Sequence, residues 1–168
     1  YNADHGFTLQ NMLLLAPLCP GDDDAVVCLK LALAARFVDI LITWRIWNFR
    51  SIAYSTMQYS MFLAMREIRG LEPCDLARRL HSILLGESDT FTSSSRLRVH
   101  QQNRYYLHRM LARITDYVET QSGNESRYHA YVVDSGRNRF EVEHIWANVF
   151  SRHTDEFSHS ADFAEYRN

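Results

Sequence analysis

Glu143 and His144 stand side by side where an alternating run, apolar at Phe140 and Val142, stops alternating. A carboxylate beside an imidazole has two chemical uses. The imidazole titrates near neutrality and can take a proton from water. The carboxylate is a hard oxygen donor suited to a divalent cation. Together they could direct water onto a phosphodiester, with the cation neutralising charge that develops on the phosphoryl and leaving oxygens. Neighbours on an extended strand point to opposite faces, so the two share a site only if the chain turns. The loss of alternation after His144 permits that turn.

Other residues invite chemistry less directly. His153, Asp155, Glu156 and His159 form a polar cluster, and a zinc hydrolase using His144, His153 and His159 is one alternative. The spacing fits no standard zinc set, and a solvated polar loop explains it more simply. Arg137 and Arg139 flank the segment that carries His144 and are the candidate phosphate contacts. Arg104, Arg109 and Arg113 fall off the apolar face of a predicted helix and read first as a solvated face. No GxxxxGK[ST] phosphate loop is present.

The elements that must position these residues follow from pattern. A short helix is expected from about Thr8 to Ala16, stopping before Pro17 and Pro20. Asp22, Asp23 and Asp24 supply negative charge where a helix begins. That helix is expected to run to about Phe49, and it is apolar around most of its circumference, hence central. Met57, Met61, Met65 and Ile68 mark the core face of a third helix ended by Gly70, and a fourth spans Pro73–Leu85. ESDTFTSSS at 87–95 reads as a linker. Leu107, Met110, Leu111, Ile114, Tyr117 and Val118 form the apolar face of a helix over about 101–120, and QSGNES breaks it. Residues 128–134 and 139–144, separated by Ser135–Asn138, predict a β-hairpin, and 162–167 predict a last helix. The expected fold class is α+β, mostly α: a helical bundle followed by a small β-hairpin.

Composition adds bounds. The 168 residues carry a net charge of −2, which excludes a strong global field for nucleic acid. Lys30 is the single lysine among 18 basic residues, and GC-rich coding accounts for that arginine skew more simply than phosphate binding does. Cys19, Cys28 and Cys74 lack metal or disulfide spacing and read as small buried hydrophobes in a reducing compartment. The most apolar stretch contains Lys30, Arg36 and Asp39, so a core helix is expected rather than a membrane span, and the expected location is cytoplasmic. The abrupt ends at Tyr1 and Asn168 suggest a piece of a longer protein.

FEVEHIWANVF at 140–150 resembles the opening of the HNH (His-Asn-His) nuclease motif. It is most similar to the C-terminal nuclease domain of GmrSD-type modification-dependent restriction and anti-phage enzymes. YYLHRMLARITDYVE at 105–119 resembles that family's helix upstream of the nuclease, and FAEYRN at 163–168 resembles its approach to the central asparagine. The resemblance implies a ββα-metal motif whose first part is the expected hairpin, with domains at 1–95, 96–126 and 127–168. It implies His144 as general base, Glu143 as a metal ligand, and Asn168 as the asparagine bracing the loop of the catalytic histidine. It implies Mg²⁺, with Mn²⁺ able to substitute, and DNA, modified or of phage origin, as substrate. The family's last metal ligand lies beyond Asn168, and its nucleotide dependence belongs to a separate N-terminal region. Where the family has a proline this chain reads His144-Ile145-Trp146-Ala147. The alternative class is a non-catalytic helical interaction or regulatory module of a defence protein.

Overall fold

The computed structural model describes residues 3–93, 103–133, 140, 142 and 147–167. The chain divides into two compact units, Tyr1–Leu97 and Arg98–Asn168. Seven α-helices are present among the described residues: α1 (Gln10–Leu15), α2 (Asp24–Trp47), α3 (Tyr54–Ile68), α4 (Pro73–Leu85), α5 (Arg104–Gln121), α6 (Tyr128–Val132) and α7 (Ser160–Arg167).

In the first unit α2 packs against α1 and α4, and α3 contacts the same two helices. The three aspartates that open α2 divide the work. Asp23 is the N-cap and accepts from Val26 N at 2.8 Å, Asp24 occupies the first turn, and Asp22 turns inward. There it accepts from Cys19 N at 2.8 Å and from Lys30 Nζ at 2.9 Å. The lone lysine is thus fully buried, and its charge is tolerated because a carboxylate sits against it. The buried stripe of α2 continues through Ala34, Phe37, Val38, Leu41, Ile42 and Ile46. Met57, Met61, Ala64 and Ile68 of α3 and Leu76 and Leu80 of α4 complete the core. Gly70 ends α3 at φ 67°, a conformation that glycine adopts without penalty, and its N–H donates to Ala16 O at 3.0 Å.

The C-terminus of α2 has no glycine to close it. Phe49 takes the left-handed conformation instead, at φ 56°, while Phe49 N donates to Ile46 O and Arg50 N donates to Arg45 O. These are the two bonds of a Schellman ending. Arg45 adds its guanidinium to Ser51 O at 2.9 Å.

Several expectations are corrected. The fold is not α+β: among the described residues there is no β-strand, so the β-hairpin is absent from them. Residues 128–132, expected as its first strand, form α6. The reason is tertiary. Asp116 of α5 accepts from Arg127 N at 2.6 Å and from Ser126 Oγ at 2.9 Å, placing a carboxylate at the start of α6. Tyr131, one turn in, buries its ring and donates from its hydroxyl to Glu119. Strand preference in YHAYVV is a weak prior, and this grip overrides it. Of the expected second strand, only Phe140 and Val142 are described, and neither is in a strand.

The apolar face of α5 is also narrower than expected. Leu107 and Met110 are buried, whereas Leu111, Ile114, Tyr117 and Val118 are exposed. Arg104 and Arg113 are exposed, but Arg109 is buried, its Cζ 3.4 Å from the Tyr105 ring centroid. Cys28 and Cys74 are exposed thiols rather than buried hydrophobes. Among the described residues no helix is long and apolar enough to cross a membrane.

Candidate active-site segment

The residues assigned chemistry from sequence, Glu143, His144, Asn168, Arg137 and Arg139, all lie outside the described residues. What the structure describes is the framework on either side of the Glu143-His144 pair.

On the N-terminal side, the Phe140 ring meets the Tyr131 ring edge-on, with centroids 4.8 Å apart and planes at 85°. Such T-shaped pairs align a positive ring edge with a negative face. Tyr131 is itself fixed from two directions. Its hydroxyl donates to Glu119 Oε2, and the Arg127 guanidinium lies over its ring at 5.6 Å. The bond to Glu119, reinforced by burial, pushes the Tyr131 phenol above its ordinary range, because ionisation would set two negative oxygens together.

On the C-terminal side, Phe163 of α7 is the centre of a small aromatic cluster. His153 stacks on it at 5.0 Å with planes 17° apart, Phe157 meets it edge-on at 5.7 Å, and Phe150 is tilted against it at 6.0 Å. Tyr166 extends the cluster through Phe157 at 5.5 Å. His153 therefore spends its ring on packing, with Glu156 Oε1 3.7 Å from its Nδ1. Its ring face is covered by Phe163. Among the described residues no group of three or more His, Cys, Asp or Glu is arranged to hold a metal ion.

The sequence reading missed Asp116 and Glu119 as the residues that organise the approach to the candidate site. They stand three apart on α5, so they share a face and can hold successive points of a short helix. The signal was available in Asp116, Glu119 and Ser126, but a strand assignment for 128–134 concealed it.

No family model, no curated protein and no solved structure matches the chain.

Proposed function

We propose that this chain contributes the water-activating part of a metal-dependent, HNH-type DNA endonuclease of the restriction or anti-phage kind. The observation that carries the reading is the adjacent Glu143-His144 pair in FEVEHIWANVF. On either side of the pair, Phe140 meets the Tyr131 ring and Phe150 the Phe163 ring. The helix expected upstream is α5. No β-hairpin is present among the described residues.

In this mechanism His144 accepts a proton from water as the water oxygen attacks phosphorus. The P–O3′ bond breaks, and the released oxygen takes up a proton to leave a 3′-hydroxyl. Glu143, a hard oxygen donor, is the residue that would hold Mg²⁺ or Mn²⁺, which supplies charge neutralisation at the phosphate. Asn168 braces the histidine loop. Arg137 and Arg139 hold the DNA backbone without reading its bases. The test is nicking of supercoiled plasmid by the natural full-length protein with Mg²⁺ or Mn²⁺. His144→Ala is expected to lower the rate by about 10²–10⁴-fold, the usual weight of a general base. Nicking at the wild-type rate by that variant would refute the assignment.

A second reading, a non-catalytic interaction module, is favoured by one feature of the first unit. Leu9, Met12, Tyr54, Gln58, Tyr59 and Phe62 line an open groove of about 360 Å³ between α1 and α3. Apolar, aromatic-lined concavities of this kind suit a bound partner. Under this reading His144→Ala is silent, and changes at Tyr59 and Phe62 carry the phenotype.

A further inference from the structure

The segment expected to be a plain linker is attached to the end of α2. Phe91 presents itself edge-on to two tryptophans, with centroids 5.5 Å from Trp47 and 6.3 Å from Trp44. Trp47 Nε1 donates to Phe91 O at 3.1 Å, and Asn48 Nδ2 donates to Thr90 O at 2.8 Å. Arg50 Nε reaches Asp89 Oδ2 at 3.0 Å. The segment also holds its own shape. Ser93 Oγ donates to Ser88 O at 2.6 Å and accepts from Thr90 N at 2.9 Å.

Three features set this apart from core packing. The anchor is rigid, because the Schellman ending and the Arg45–Ser51 bond fix the last turn of α2 on their own. The contacts are shallow, with Phe91 51% exposed and the Arg50 side chain 60% exposed. Release strands few polar groups: Asn48 Nδ2 keeps Trp44 O at 2.8 Å, and the Trp47 N–H lies at a surface where water can replace the carbonyl.

We propose that residues 88–93 form a strap that opens and closes as a unit over Trp44 and Trp47, without unfolding α2. Closed, it covers the aromatic end of α2 and neutralises Arg50. Open, it gives up its contacts to Trp44, Trp47 and Arg50. The exposed Arg50–Asp89 pair makes the closed form weaker at high ionic strength.

The test uses the full chain labelled with 5-fluorotryptophan, with ¹⁹F resonances assigned by Trp→Phe substitution and Trp146 as internal control. Phe91→Ala is expected to move the Trp44 and Trp47 resonances to an open position, raising the open population at least about tenfold. Asp89→Asn, or wild type in 1 M NaCl, is expected to move them part of the way along the same line, for about a two- to fivefold change. Unfolding of the first unit stays cooperative in both variants, and its melting temperature falls only by what the lost docking contributes. Unmoved Trp44 and Trp47 resonances in Phe91→Ala would show that the strap does not dock. Loss of α2 helical signal together with the resonance shift in Phe91→Ala would make the segment a fixed part of the core. Wild-type resonances indifferent to both salt and Asp89→Asn would likewise overturn the opening equilibrium.

Discussion

The two units use different means to hold helices. The first buries a continuous apolar stripe: Phe37, Val38, Leu41 and Ile42 of α2 with Met57, Met61, Ile68 and Leu76 from its neighbours. The fully buried Lys30 is matched by Asp22. The second unit has short helices after α5, and they are held point by point. Asp116 and Glu119 grip α6 by hydrogen bonds, and one buried phenylalanine, Phe163, gathers Phe150, His153 and Phe157 around α7. Apolar burial is non-directional and summed over many contacts, whereas a carboxylate cap is directional and depends on a single side chain. The first arrangement suits a scaffold. The second suits a region whose elements must be set at particular places along the chain.

The largest expected effect tests the scaffold. Phe37→Ala is expected to destabilise the first unit by about 3–5 kcal/mol, the cost of emptying a buried aromatic site, read from denaturant unfolding. Backbone signals of α5–α7 should then persist past the transition of the first unit; their simultaneous loss would erase the distinction between the units. Next in size is Phe163→Ala. Here about 3 kcal/mol is lost locally, with amide exchange accelerating across 150–167 while the melting of the first unit is unmoved. Smaller again is Asp116→Ala, which removes the carboxylate at the start of α6 and should cost about 1 kcal/mol. It is seen as about fivefold faster exchange at 128–132, with α5 unaffected.

The pH dependence is smallest near neutrality and differs in sign between the units. Asp22 is held below the usual carboxylate range by the Cys19 N–H and then by Lys30. A depressed folded pKa gives stability that is complete above about pH 4 and lost as acid carries the group through its folded value. Tyr131 is held above its ordinary value, chiefly by Glu119, so its contribution is complete below about pH 10 and lost as pH rises beyond it. Circular dichroism melts at stepped pH should show Asp22→Asn already destabilised at neutral pH, because Lys30 loses its buried counter-charge, and without the acid-side loss. Tyr131→Phe should abolish the alkaline loss in the second unit.

Much of the helical architecture was legible because its signals are local. Asp23 before an apolar run, the Met57–Met61 spacing and Gly70 each act within a turn or two, and α2, α3 and α4 lie close to where those signals put them. The end of α2 was less legible, since its left-handed residue is Phe49 rather than glycine and the expected boundary overran Trp47. The strap was hidden for another reason. ESDTFTSSS has linker composition, and only Trp44 and Trp47, more than forty residues earlier, make it a docked segment.

By itself the sequence determined where the long helices lie and that a carboxylate-imidazole pair stands at 143–144, because helical period, caps and residue chemistry are written locally. Tertiary structure alone decided that Tyr128–Val132 is a helix, since its cap comes from Asp116 across a turn. It alone stacked the His153 ring on Phe163. It also buried Arg109 against Tyr105 while leaving Ile114 and Val118 exposed. Propensity and amphipathic pattern differ by only fractions of a kcal/mol per residue. A carboxylate, an aromatic face or a neighbouring helix supplied from elsewhere in the chain outweighs them.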